Sequence, residues 1–379
     1  MRVFLDHNAT SPVRPEVVAA VSEALAAGGN PSSVHASGRA ARARVEAARS
    51  LIARSVCARA EDLVFTSGGT EANNLAIHAA KAMGATKIIC SAIEHEAVVK
   101  SARASGLPVE TLPVSEEGLA DLAWLEARLA QADGETLLVA LMAANNETGV
   151  IQPIVEAGRL VREAGHVFHV DAVQMSGKAA FDFAASGAQF AALSAHKTGG
   201  PQGVGALVTA CDAQPGAMLH GGGQEKNRRA GTENVAGIVG FAAAIEAAHR
   251  DGAGIDRVRA LRDRLEARLK DAHMGVRIWG ASSPRLPNTT CLTSPGWPSE
   301  IPVIGLDLAG FEVSAGSACS SGKVKKSAVL QAMGASDDEA GTALRVSFGW
   351  NNDEADADRF ADAWLKEYAR VRPRVATAV

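Results

Sequence analysis

The sequence predicts an α/β protein: a larger domain on a mostly parallel sheet flanked by helices, and a smaller α+β domain. Three observations predict it. Short apolar runs alternate with helical stretches through the first part of the chain, the pattern of successive βα units. That alternation stops near residue 251, and a stretch rich in Pro, Ser and Thr follows at 281–302. The length, 379 residues, exceeds what one hydrophobic core usually holds. The larger domain is placed at 15–250 and the smaller one at 1–14 with 251–379.

Pro15 suits a first helical turn, so a helix is expected over 16–27. Residues 36–58 read as a long Ala/Arg helix. Apolar runs at 63–65, 87–90, 136–142, 167–170 and 190–193 read as strands. An apolar helix is expected over 232–250 and a charged amphipathic one over 257–270, with a loose tail at 373–379.

Composition excludes several function classes. Hydrophobic residues at 47% and charged residues at 21% are ordinary for a globular chain. A net charge of −4 gives no electrostatic case for nucleic acid. No apolar run has the length of a membrane span, and the start has no signal-peptide character. Five cysteines without a pairing pattern fit a reducing, cytoplasmic setting. Of these, Cys57 and Cys90 read as buried and inert. The absence of CxxC and HExxH speaks against a metal site.

Each of the five apolar runs ends in a polar cluster. These are Thr66-Ser67-Gly68-Gly69-Thr70-Glu71, Glu94-His95, Asn145-Asn146-Glu147-Thr148-Gly149, Asp171-Ala172-Val173-Gln174 and Ser194-Ala195-His196-Lys197. Ligands of open α/β sheets sit beyond the carboxyl ends of the strands, so five clusters together point to one large polar ligand. The Ser67–Thr70 turn opens a helix over 71–83, and its glycines and free N–H groups make it a phosphate seat. Nucleotide motifs do not fit. No GxGxxG follows the first strand, and in Gly316–Lys323 the glycines are six apart, with Val324 where magnesium needs Ser or Thr. A carboxylate such as Asp171 can keep a pyridinium nitrogen protonated, and a lysine such as Lys197 at a strand end can form a Schiff base. The pair is what a pyridoxal site requires. His95 is placed to stack on the ring, and Asn146 and Gln174 suit its hydroxyl oxygen.

With those motifs, the chain resembles the cysteine desulfurases of the NifS/IscS type, in the class V aminotransferase family of fold-type I pyridoxal enzymes. The resemblance runs from Phe4-Leu5-Asp6-His7-Asn8-Ala9-Thr10 to Arg345-Val346-Ser347-Phe348-Gly349. It includes Gly221-Gly222-Gly223-Gln224-Glu225, Arg229-Ala230-Gly231-Thr232-Glu233-Asn234 and Ser317-Ala318-Cys319. It implies a seven-stranded sheet, pyridoxal 5'-phosphate as cofactor and L-cysteine as substrate. By resemblance Lys197 is the Schiff-base lysine, Asp171 pairs with the pyridine nitrogen and His95 stacks. Gly69, Thr70, Ser194 and His196 hold the phosphate, and Thr232 reaches it from the partner of a homodimer. Arg345 clamps the substrate carboxylate, with Asn146 alongside. Cys319, in a loop of small residues, takes the sulfur as a persulfide and passes it to an acceptor or scaffold protein, as in iron–sulfur cluster assembly.

One departure stands out. Lys323, Lys325 and Lys326 follow the catalytic loop where the family has a Leu-Glu-Pro stretch. This segment reads first as a solvated basic patch and second as a docking surface for an acidic acceptor. Selenocysteine lysis, transamination and a non-catalytic pyridoxal-binding role are the competing readings; the small-residue loop around Cys319 argues against transamination, and the presence of both Lys197 and Cys319 argues against the non-catalytic role.

Overall fold

A computed structural model of the chain describes residues 2–213, 215–272, 275–316 and 326–376, the last five of these by their backbone alone. Strand β1 (Val3–Phe4) lies in the smaller domain. The central sheet contains β2 (Leu63–Thr66), β3 (Lys87–Ser91), β4 (Val109–Leu112), β5 (Leu137–Ala140), β6 (Val167–Asp171), β7 (Phe190–Ser194) and β8 (Gly205–Thr209). Its order is β2-β8-β7-β6-β5-β3-β4. Strand β8 runs antiparallel to both its neighbours, and the other pairs are parallel.

Every residue of β5, β6, β7 and β8 is buried, which is why these strands read as continuous apolar runs. Successive side chains go to opposite faces. Phe65, Val139, Phe168 and Val208 join one core with Val45, Ile52 and Phe241 of the helices Ala36–Ser55 and Val235–Arg250. Val64, Leu138, Ala192 and Leu207 join the other with Leu75, Ala79 and Val98 of the helices Gly69–Ala82 and Glu96–Ala104. The sheet is therefore covered on both sides, as a doubly wound α/β layer must be.

All five expected runs are strands. Two strands of the central sheet were not legible as apolar runs, β4 and β8. Helix boundaries also differ by a few residues, for local reasons. The helix expected from 232 starts at Val235 because the Asn234 side chain accepts from Gly237 N at 3.0 Å and caps it. The helix expected to 58 ends at Ser55, since Cys57 turns left-handed at φ 54. That turn points Cys57 to solvent, so its reading as a buried cysteine is corrected. The expected tail from 373 is also corrected through residue 376. Helix Glu354–Ala376 carries past it, anchored by Phe360, Trp364 and Tyr368 in the smaller core.

The smaller sheet has the order β12-β13-β10-β9, with β9 (Arg277–Ile278), β10 (Thr289–Thr293), β12 (Ser314–Ala315) and β13 (Leu344–Ser347). Strand β11 (Phe311–Glu312) pairs in parallel with β1. A separate core gathers Val3 and Leu5 with residues from Val258 to Tyr368, including stacked Trp297 and Tyr368. We propose the domain division at 14/15 and 250/251. Arg345 sits mid-strand, opposite Cys291 on β10 and Ser314 on β12. The segment after Leu5 then leaves the smaller core: Asp6 bridges to Ser347 and pairs with Arg345 of β13, and Asn8 and Ala9 reach the cavity at the edge of the larger sheet.

Candidate active site

The parallel strands end on one edge of the sheet, and the polar clusters gather there. They line a cavity of about 290 Å³. Its walls include Gly69, Thr70, His95, Asn146, Asp171, Gln174, Ser194, His196, Lys197 and Arg345. One expected site residue, Thr232, is not in that wall. Thr232 is exposed and borders a neighbouring cavity with Ser67 and Gly203, outside the wall of the main one. Cys319 lies outside the described residues, as do Lys323 and Lys325. Lys326 is described, and it pairs with Asp337 at 2.7 Å in an exposed position.

The Gly68–Gly69 turn shows why it is built of glycine. Gly68 has φ 156. A Cβ on Gly69 would meet Val173 Cγ2 at 2.7 Å. No side chain caps the helix that starts at Gly69, so its first N–H groups and its positive dipole end face the cavity. Ser194 and His196 join this turn around an adjoining recess. Burial, Lys197 and Lys178 hold the His196 imidazole down to about 4, so it is a neutral hydrogen-bonding ring.

Asp171 is fixed at both oxygens. Asn73 Nδ2 donates to its Oδ2 at 2.8 Å, and Val173 N donates to its Oδ1 at 3.0 Å. Asn73 Oδ1 in turn accepts from His169 Nε2 at 2.8 Å, which puts that ring's proton on Nε2. Neither Asn73 nor His169 was singled out from sequence. Asn73 could have been found as a polar residue amid Ala72, Leu75 and Ala76 on the buried face of its helix.

Lys197 Nζ donates to the backbone oxygens of Asn8 and Ala9, each at 2.7 Å. His95 ends the loop after β3 and caps the helix Glu96–Ala104, its Nδ1 accepting from Ala97 N at 3.1 Å. A neutral His95 therefore carries its proton on Nε2. Arg345 is 1% exposed. Its Nη2 donates to Asp6 Oδ1 at 2.6 Å and its Nη1 to the Asn146 oxygen at 3.1 Å. Asp6 Oδ2 accepts from Ser314 Oγ at 2.7 Å. Two of the five guanidinium donors are thus spent on aiming the side chain, and Nε has no partner. Gln174 is more committed than expected. Its Nε2 donates to Asn8 O at 3.0 Å and its Oε1 accepts from Lys178 at 2.6 Å, leaving one N–H for the cavity.

The donor set fits pyridoxal phosphate. It offers an uncapped helix start for a phosphate, a fixed carboxylate for a pyridine nitrogen, an amide donor for a ring oxygen and a lysine amine for an aldehyde. Among the described residues, no cluster of His, Cys, Asp or Glu is arranged to hold a metal, and no helix is long and apolar enough to cross a membrane.

Two buried acids flank the cavity. Burial and Asp171 push the Glu94 carboxyl well above its usual range. Burial pushes Glu147 up to about 7, against the opposing pull of Ser327, Arg345 and His95. A carboxyl raised on folding contributes its full stability below its ordinary value near 4.5 and loses it as pH climbs towards about 7. We expect the chain to lose about 3 kcal/mol between about pH 5 and about pH 8 through this group. Glu147→Gln should flatten that slope, read from thermal melts across the range. Parallel slopes in parent and variant would remove the assignment.

The Aminotransferase class-V family matches residues 3–360. A protein named cysteine desulfurase IscS, from Dictyoglomus turgidum, is 39% identical over 98% of this chain and 95% of its own length. An IscS-like cysteine desulfurase from Mycobacterium tuberculosis is 38% identical over 97% of each. Among solved structures, a NifS-like protein from Rickettsia africae superimposes with a TM-score of 0.89 at 35% identity, covering 98% of this chain and 100% of its own. Family match, full-length relatives and shared architecture agree with the cavity's make-up, and the chain belongs to the aminotransferase class-V family, alongside its NifS/IscS-type members.

Proposed function

We infer that this chain is a cysteine desulfurase, removing sulfur from L-cysteine and leaving L-alanine. One observation carries the reading: Lys197 and the doubly held carboxylate of Asp171 face one cavity that also contains an uncapped helix start and Arg345. The sequence identity to desulfurases over nearly the whole chain supports it.

In this reading Lys197 holds the cofactor covalently, Asp171 faces the pyridine nitrogen and His95 lies against the ring. Gly69, Thr70, Ser194 and His196 seat the phosphate, and Gln174 donates to the ring oxygen with Asn146 nearby. When bound, pyridoxal phosphate supplies a sink for the electrons released at the substrate's α-carbon. Arg345, aimed by Asp6, receives the substrate carboxylate through its remaining donors. The Lys197 amine, once displaced by substrate, takes the α-proton. His95 exchanges protons near the substrate sulfur through Nε2. The Cys319 thiolate attacks that sulfur. The substrate C–S bond breaks, an S–S bond forms, and the β-carbon takes up a proton. One cysteine and one enzyme thiol thus become one alanine and one enzyme persulfide.

The persulfide then passes to an acceptor or scaffold protein in the cytoplasm, in a pathway such as iron–sulfur cluster assembly. The chain works as a homodimer, in which the exposed Thr232 reaches the phosphate seat of the partner subunit. The test is direct. The cofactor-loaded chain is given L-cysteine and a thiol reductant, with selenocysteine and an amino-acid/keto-acid pair as comparison substrates. Equal yields of alanine and sulfide are expected from cysteine. Transamination of the pair without sulfide from cysteine would overturn the reading.

A further inference from the structure

Lys178 is a buried amine that the reaction above leaves without a task. It lies just beyond the Asp171–Gln174 cluster and is 9% exposed. Taking an ammonium out of water is costly unless a counter-charge meets it. Among the described residues none does: Nζ donates to two neutral oxygens, Asn8 Oδ1 at 2.9 Å and Gln174 Oε1 at 2.6 Å. Burial, Lys197 and Arg345 hold the amine well below its usual range, and Asp6 opposes them only from a distance. An apolar side chain would fill this place at less cost, so the donors themselves have work to do.

Their two acceptors lead to the reacting groups. Because Gln174 Oε1 is turned to Lys178, its Nε2 must face the other way. One N–H goes to the Asn8 carbonyl and the second is left for the cavity. That same Asn8 carbonyl receives Lys197 Nζ at 2.7 Å. Asn8 is otherwise tied through its side chain to Asn288, Thr289 and the Asn146 oxygen, all from other elements. Lys178 therefore touches both the amide that faces the cavity and the residue on which the Lys197 amine rests. A second cavity, of about 50 Å³, adjoins both lysines together with His7 and Ser11.

We propose that Lys178 is a positioning residue, which fixes Gln174 as a hydrogen-bond donor towards the cofactor's ring oxygen and, through Asn8, sets the resting place of the Lys197 amine. The inference rests on the reading of Lys197 as the cofactor-bearing lysine. A donor on the ring oxygen and a second amine nearby both disfavour a proton on the lysine-bound nitrogen. Removing them raises the pH at which that nitrogen titrates.

The test uses the cofactor-loaded chain and two variants, Lys178→Ala and Lys178→Met. The pH midpoint of the visible band of the lysine-bound cofactor should rise by about one unit in both. Alanine formation from cysteine should fall about tenfold, the counterpart of that unit. Ethylamine, small enough to enter the space left in Lys178→Ala, should return the midpoint towards the parent value. If Lys178→Ala does not fold, Lys178→Met decides alone, since it fills the same space but offers Gln174 Oε1 no donor. Midpoints equal to the parent's, or a rise that ethylamine leaves untouched in a folded Lys178→Ala, overturn the proposal. A parent chain with no visible band at any pH would instead overturn the reading of Lys197.

Discussion

Lys197→Ala should take up pyridoxal phosphate without developing the visible band of a lysine-bound cofactor, and its alanine formation from cysteine should fall by roughly 10²–10⁴-fold, the usual cost of removing a general base. The amine has two duties in the proposed reaction, holding the cofactor and moving the α-proton. Alanine at this position removes both. The rest of the cavity should stay intact, because the Lys197 amine donates to the backbone oxygens of Asn8 and Ala9, and Asn8 is held by its own side-chain partners. The phosphate turn, the Asp171 carboxylate and Gln174 keep their own partners. Cofactor should therefore still bind, reversibly, and dialyse away faster than from the parent. The check is an absorbance spectrum before and after dialysis, beside a single-turnover assay for alanine. A parent-like spectrum in the variant would mean that another amine carries the cofactor, and Lys178 would be the first to examine, since it borders Lys197 in the smaller cavity.

The sequence showed the site more clearly than the sheet that bears it. Polar clusters at the ends of apolar runs were legible because a parallel sheet sends its carboxyl ends to one edge, and each cluster interrupts a run buried on both faces. Strand β4 was hidden because it is an edge strand whose Glu110 and Thr111 face outward or pair with Arg128 and Lys87. Strand β8 was hidden for another reason. It runs antiparallel, so no polar cluster at its end belongs to the site, and Gly205 weakens its apolar signal. A Cβ at Gly205 would meet the Gly68 backbone at 2.7 Å, so the phosphate turn itself demands that glycine. The residues behind the site were not legible by spacing at all. Asn8 meets Lys178 and Lys197 across most of the larger domain's sequence, and Asp6 meets Arg345 across nearly the whole chain. Such pairs exist only once the N-terminal segment crosses from the smaller core to the sheet edge. Thr232 illustrates the converse. Its motif was plain, yet within one chain it stands outside the main cavity, which is where a residue serving a partner subunit would be.

Cys319→Ala should retain the cofactor spectrum of the parent and lose alanine formation from cysteine by at least roughly 10³-fold, as removal of an attacking nucleophile does. The two halves of this expectation come from different parts of the molecule. The spectrum depends on Lys197, Asp171 and the phosphate turn, none of which contains Cys319. The sulfur step depends on a thiol, and the other cysteines are badly suited to it. Burial pushes the Cys90 thiol up to about 12 and raises Cys291 further still, so neither offers a thiolate near neutral pH. Cys57 is exposed, but burial cost and Asp182 raise it too, and it sits at the end of the helix Ala36–Ser55 rather than in the cavity wall. Cys211 is likewise exposed and absent from that wall. Cys319 follows Gly316 by three residues, and Gly316 is packed so close to the buried Glu147 that a Cβ there would stand 3.2 Å from its Oε2. Ser327, at the other end of the same stretch, donates to that oxygen at 2.6 Å. Both ends of the chain segment that carries Cys319 therefore meet at Glu147, whose charge is felt by Cys291 opposite Arg345. Mass spectrometry of the parent after one turnover should find one added sulfur on Cys319, and the variant should carry none at any position. An alanine burst of parent size in Cys319→Ala, or added sulfur on Cys57 or Cys211, would transfer the nucleophile's role to another thiol.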